Sequence, residues 1–305
     1  MELRIQAAVD EVGTVLLGKE RQIKLAMCCL IAGGHLLIED MPGMGKTTLA
    51  HALARVFGLD FNRIQFTSDL LPADILGVSI FDQQSGRFNF HPGPIFRQLI
   101  LADEINRTTP KTQSALLEAM EEGQVSVEGE TRRLPSPFFV IATQNPVSLA
   151  GTFPLPESQL DRFLMRIGIG YPDPRAERQL LESAGVRDRG ERLRQHLDLN
   201  DLIELRKAAA AVHLSPQLLD YIQRLIARTR DSEEFHFGLS PRGGIAVVRA
   251  TRTWALLEGR QHALPEDVQA VLPAVVEHRL RSGSDGEGRA GTALAQRLLS
   301  EVDVF

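Results

Sequence analysis

Lys46 and Thr47 directly follow Pro42-Gly43-Met44-Gly45, and an apolar run, His35-Leu36-Leu37-Ile38-Glu39, leads into them. A strand that feeds a glycine-bearing loop and then a helix gathers backbone N–H groups and a helix N-terminus around one point. That is a site for a polyphosphate. In such chemistry Lys46 reaches the outer phosphates and the Thr47 hydroxyl takes a place on Mg²⁺, with Pro42, Gly43, Met44, Gly45 and Thr48 completing the cradle. The usual G-x-x-x-x-G-K-[ST] spacing sets its first glycine at position 40, where this chain has Asp40. A carboxylate there either repels phosphate or turns away onto the backbone. The plainer alternative is a glycine-rich turn before an ordinary helix with an exposed lysine.

About sixty residues on, Leu99-Ile100-Leu101-Ala102 ends in Asp103-Glu104. A strand covered on both faces of a parallel sheet reads as a continuous apolar run, and open α/β sheets bind ligands beyond the strands' C-terminal ends. Asp103 is placed to hold Mg²⁺ through its waters, and Glu104 to polarise the water that attacks the terminal phosphate. Two acids after a strand often mean only a solvated loop. Their position after the phosphate loop favours a nucleoside-triphosphate hydrolase. Asn145, in Ala142-Thr143-Gln144-Asn145-Pro146, either holds that water and senses the phosphate or merely ends a strand before proline.

These groups need a sheet to position them. Strands are predicted at 35–39, 63–67, 98–103, 138–144 and 163–170, mostly separated by helical patterns, which signals a parallel sheet with crossover helices. Thr109, Pro110 and Gly123 punctuate one helix as cap, first turn and end. Two hairpins are predicted, at 78–90 around Gln84-Ser85-Gly86 and at 124–134 near Glu128-Gly129. After Tyr171-Pro172-Asp173-Pro174 only helical periodicity remains, with starts at Asp173-Pro174, Ser215-Pro216, Ser240-Pro241 and Leu264-Pro265. Residues 282–291 read as a mobile loop.

A chain of 305 residues can bury a large core and divide into two domains. Its net charge of −5 argues against a broad nucleic-acid-binding face. The two cysteines, Cys28 and Cys29, are neighbours in an apolar helical stretch and point to different faces, which suits core packing better than a disulfide or metal site. No run of about 18 apolar residues and no signal-peptide pattern occurs, so a cytoplasmic location is expected.

Taken in order, residues 41–50, 100–127, 142–164, 239–260 and 264–280 resemble the MoxR family of AAA+ ATPases. The resemblance implies an α/β fold: a P-loop AAA+ αβα domain with a five-stranded parallel sheet over residues 1–171, then a small all-α lid over 172–305. It implies Lys46 and Thr47 as Walker A, Asp103 and Glu104 as Walker B, Asn145 as sensor 1, Arg162 as an arginine finger and Arg242 as sensor 2. Arg162 could otherwise pair with Asp161 or Glu157. Arg242, in the first turn of a helix capped by Ser240, would let the lid close on a nucleotide, its own subunit's or a neighbour's, and an arginine there calls for a nearby anion. Arg107 is a weaker candidate, at a subunit interface or simply exposed.

The resemblance further implies ATP and Mg²⁺, a homo-oligomeric ring, expected to be a hexamer, and a partner protein carrying a von Willebrand factor A domain. The expected function is ATP hydrolysis driving chaperone-like remodelling or maturation of protein complexes. Alternatives are a nucleotide-dependent binding and assembly module, a DNA-acting motor or a magnesium-chelatase-like motor.

Overall fold

The computed structural model describes residues 1–84, 86–146, 151–182, 193–231, 235, 238–280 and 292–304. Helices α1 (Glu2–Gly13) and α2 (Glu20–Ile31) precede strand β1 (Leu36–Glu39), helix α3 (Lys46–Val56) and strand β2 (Phe61–Gln65). A short α4 (Pro72–Leu76) leads to β3 (Gly77–Asp82) and β4 (Arg87–Pro92), and β5 (Leu99–Asp103) ends in a 3₁₀ turn, Ile105–Arg107. Then come α5 (Pro110–Glu122), β6 (Gln124–Val127), β7 (Glu130–Arg133), β8 (Phe139–Gln144), α6 (Glu157–Leu160) and β9 (Met165–Ile167). The remaining elements are helical: α7 (Pro174–Glu182), α8 (Leu199–Ala211), α9 (Pro216–Asp231), α10 (Pro241–Leu257), α11 (Pro265–Val276) and α12 (Thr292–Glu301).

Five parallel strands form one sheet in the order β2-β5-β8-β1-β9. The apolar runs are buried on both faces, as a covered parallel sheet requires. Leu36, Ile38, Leu99, Leu101, Phe139 and Ile141 enter one core, while Leu37, Ile100, Ala102, Val140 and Ala142 enter the other. The first core runs without a break from α1, α2 and α3 into the C-terminal helices. Cys28 and Cys29 lie inside it, both fully buried and unbridged, and burial pushes both thiols above their ordinary range.

Two predicted strands shift. β2 begins and ends two residues earlier than expected because Phe61 through Gln65 are the residues in register with Leu99 through Asp103. The last strand is only three residues long. Beyond it, the N–H groups of Ile169 and Gly170 go to the Asp40 carboxylate and not to a neighbouring strand.

Both predicted hairpins form, β3 with β4 and β6 with β7. In the second turn Glu128 and Gly129 take φ of 54° and 82°, the left-handed pair that suits a tight hairpin. Among the four predicted C-terminal helix starts, Asp173, Ser215 and Ser240 each accept a backbone N–H from the following turn. Thr109 is the N-cap of α5, but its hydroxyl meets the Thr112 hydroxyl and bonds no helix N–H, a departure from the expected capping. The predicted loop at 282–291 lies outside the described residues.

Candidate active site

Between β1 and α3 the chain turns on Gly43 and Gly45, at φ of 85° and 88°. A side chain at 45 would meet strain and also a Leu16 methyl 2.8 Å away, so both conformation and space demand glycine there. The turn buries Lys46 while leaving Thr47 and Thr48 exposed at the helix start. The Lys46 ammonium donates to the backbone carbonyls of Asp40 at 2.6 Å and Gln144 at 3.2 Å. Burial pulls its pKa down, and the charges of Asp40, Asp103, Glu104 and Glu39 oppose that. A buried cation resting on carbonyls at a helix N-terminus fits an anionic ligand, and its neighbours Thr47 and Asp103 are oxygen donors suited to Mg²⁺.

Asp40 turns away from the loop. One carboxylate oxygen accepts the Met41 N–H at 2.8 Å, and the other accepts those of Ile169 at 2.7 Å and Gly170 at 2.6 Å. Of the two readings its sequence position allowed, the contact with backbone is the one found.

At the end of β5, Asp103 is buried, and both its oxygens accept hydrogen bonds. One oxygen accepts the Thr143 hydroxyl at 2.6 Å, and the other accepts Nη2 and Nε of Arg63 at 2.6 and 3.1 Å. Thr143 in turn accepts the Glu104 N–H at 2.8 Å. Glu104 sits at φ 57°, ψ 49°, a left-handed conformation that is costly for a side-chain-bearing residue and clusters at functional sites. Its Oε2 receives Gln65 at 3.0 Å and Arg107 at 2.9 Å. Arg107, expected at an interface or free in solvent, is half-exposed and clamps the acid.

Asn145 follows β8, which lies between β5 and β1, so it emerges between the acid pair and the phosphate loop. Pro42 through Thr48, Asp103, Glu104 and Asn145 thus share the C-terminal edge of the sheet. Arg162 and Arg242 do not join them. Arg162 precedes β9, and Leu164 donates to the carbonyl of His35 just before β1, so this segment lies at the sheet's N-terminal edge. One strand of four residues, about 13 Å, already separates the two edges.

At that edge both arginines close on Glu121 in the last turn of α5. Arg162 Nη2 meets one oxygen at 3.0 Å and Arg242 Nη2 meets the other. Their grip lowers the Glu121 pKa, the Arg242 hydrogen bond contributing most. The partner of Arg162 is therefore neither Asp161 nor Glu157. Arg242, expected to act with the lid on its own subunit's nucleotide or a neighbour's, stands at the edge opposite its own Lys46, and the anion its position called for is Glu121. Asp161 is taken by Arg279 at 2.7 Å and Ser240 at 3.2 Å.

The sequence reading missed Arg63, Gln65, Thr143 and Glu121. Only the register of β2 on β5, which sets Gln65 against Asp103, could have revealed the first two.

Comparison with known proteins bears on the fold and the family. Residues 35–165 match the model of the ATPase family associated with various cellular activities (AAA), and residues 227–298 match the AAA lid domain. The chain is 41% identical to Chaperone MoxR1 of Mycobacterium tuberculosis over 285 residues, covering 90% of this chain and 75% of that one. It is 33% identical to Protein MoxR of Paracoccus denitrificans, covering 91% and 88% of the two chains. A crystal structure from Cytophaga hutchinsonii, described only as a candidate ATPase, superposes with a TM-score of 0.90 at 36% identity, over 99% of this chain and 95% of that one. On sheet order, helical lid and kinship alike, this chain belongs to the MoxR family of AAA+ ATPases.

Proposed function

We propose that this protein binds ATP at residues 42–48 and hydrolyses it to drive chaperone-like remodelling of other proteins. The observation that carries this reading is the buried Lys46, held on two carbonyls within the field of Asp103 and Glu104. Thr47 and Asp103 would hold Mg²⁺, which when bound neutralises charge on the outer phosphates. Glu104 takes the proton of the attacking water as oxygen bonds to the γ-phosphorus and the bond to the β-phosphate bridge breaks. Asn145 orients that water. For this, Glu104 must loosen from Gln65 and Arg107, so these two hold the base in reserve.

Arg162 and Arg242 complete a different site. Their place at the edge opposite Lys46 supports a reading in which both reach a neighbouring subunit's nucleotide, where guanidinium groups stabilise charge on the transferring phosphoryl group. A head-to-tail contact of this kind repeats into a ring, and a hexamer in the cytoplasm, served by a partner with a von Willebrand factor A domain, is the assembly we propose. Among the described residues no helix is long and apolar enough to cross a membrane. The proposed division falls at residues 171/172, between the nucleotide domain and the lid.

A second reading, a nucleotide-dependent assembly module without turnover, draws on the engagement of both acids by Arg63, Gln65 and Arg107. One experiment separates the two. Glu104→Gln is expected to keep ATP binding and lose turnover by about 10²–10⁴-fold. Equal turnover in variant and wild type would remove Glu104 as the base, and no turnover in the wild type under any assembly condition would favour the second reading.

A further inference from the structure

Three chain segments meet at the N-terminal edge of the sheet. The segment before β9 brings Arg162, the first turn of α10 brings Arg242, and the last turn of α5 brings Glu121. The first two are stitched together below the side chains. Asp161 accepts from Ser240, the cap of α10, and from Arg279, and Arg279 also donates to the Phe163 carbonyl at 2.6 Å. Burial lowers the Arg279 pKa, and Asp161 works against that shift. This network fixes the two backbones. It leaves the tips of two long side chains, 28% and 50% exposed, to be set by something else.

We infer that Glu121 is a positioning residue that sets Arg162 and Arg242 as one unit for the phosphoryl group of a neighbouring subunit's nucleotide. The inference rests on the intersubunit reading above. Each carboxylate oxygen serves one arginine, so a single anion spaces the two guanidinium groups and screens their mutual repulsion. A guanidinium has five N–H donors in a fixed fork. Both arginines therefore keep donors for phosphate oxygens while still held by Glu121. With a third of its side chain exposed, Glu121 gains little stability from such pairs. What the contact provides is geometry, and misplacing a catalytic group by about 1 Å can cost on the order of 100-fold in rate. An open cleft of about 380 Å³ lies beside the trio, lined also by Arg249 and Gly33.

Glu121 also sits at the far end of a helix that starts just beyond Glu104. Helix α5 has 13 residues, about 20 Å of rigid rod. Its first turn follows the candidate base of one site and its last turn holds the arginines proposed for the next.

The test uses the full chain in its assembled state. Steady-state ATP hydrolysis and the affinity for a fluorescent ATP analogue are measured for wild type, Glu121→Gln, Glu121→Asp, Arg162→Ala and the double variant Glu121→Gln/Arg162→Ala. The expected result is an unchanged analogue affinity, a kcat lowered by roughly 10- to 100-fold in Glu121→Gln with little change in KM, and partial recovery in Glu121→Asp. The double variant should lose less than the product of the two single losses, because both changes act on one unit. Turnover at or above wild type in Glu121→Gln would overturn the inference by making Glu121 a mask. So would losses that simply multiply in the double variant. If Arg162→Ala retains full turnover, the intersubunit reading itself fails and the inference falls with it. If Arg162→Ala is crippled while Glu121→Gln is normal, only the inference fails.

Discussion

The Asp40 carboxylate accepts the backbone N–H of Gly170 at 2.6 Å and so ties the end of β1 to the chain as it leaves β9. The residue that replaces the usual first glycine of the phosphate loop is therefore an anchor between the loop and the segment leading to the lid.

Restoring that glycine should do harm. Asp40→Gly strands three backbone N–H groups, those of Met41, Ile169 and Gly170. We expect a loss of about 2–3 kcal/mol in unfolding free energy, since bonds to a charged acceptor are among the stronger ones. ATP affinity should not improve. Urea denaturation and nucleotide titration of the variant check both halves, and tighter binding with unchanged stability would show that Asp40 does act on phosphate.

Thr143 joins the two acids, donating to Asp103 and accepting from the Glu104 N–H, and it is fully buried. Thr143→Val keeps the shape and removes both bonds. The expected cost is about 1–3 kcal/mol of stability, from the orphaned groups. The rate should also fall about tenfold or more, because Glu104 loses the contact that fixes its strained backbone. Thermal denaturation and initial-rate measurements report the two effects separately. Normal turnover in a destabilised variant would reduce Thr143 to packing.

His35 supplies a pH-dependent element. Its Nδ1 accepts the Val140 N–H at 3.0 Å, so Nε2 carries the proton and faces the Met120 carbonyl at 3.1 Å. Burial pushes its pKa down to about 4, the hydrogen bond to Met120 opposing and the nearby charges of Arg206 and Arg249 adding to the fall. The unfolded chain binds a proton at this residue below about 6.5, whereas the folded chain stays neutral until about 4. Stability from this group is thus present at neutral pH and declines as pH falls through that window, by about 2 kcal/mol at about pH 5, somewhat less for a ring partly open to solvent. His278, also buried neutral, adds in the same direction. Denaturant unfolding at about pH 7 and about pH 5 should show a smaller acid loss in His35→Gln than in wild type, and equal losses would contradict the assignment.

The parts of the fold carried by contiguous residues were legible. Leu99 through Ala102 are buried on both faces and therefore announce a central strand, and Gly43 and Gly45 announce a loop that only glycine can make. What depends on register was not. Arg63 and Gln65 face the acid pair only because β2 pairs with β5 from Phe61 to Gln65, and an apolar pattern does not encode a two-residue offset between separate strands. The edge carrying Arg162 and Arg242 was illegible for another reason. Glu121 and Arg242 lie 121 residues apart, and no local periodicity says that the end of α5 meets the start of α10. Helix punctuation read well because Ser215 and Ser240 cap within three residues, whereas Thr109 spends its hydroxyl on Thr112.

The central claim is that one chain's arginines complete another chain's site. The most direct measurement is steady-state Mg²⁺-dependent ATP hydrolysis across a protein concentration series for wild type, Arg162→Ala and Arg242→Ala, with nucleotide affinity measured alongside. Specific activity should rise with concentration in the wild type. Each variant should bind ATP normally yet lose most of that rise, by up to the 10³–10⁵-fold known for arginines of this role. Flat specific activity, with both variants as active as wild type, would mean that the site is complete within one chain.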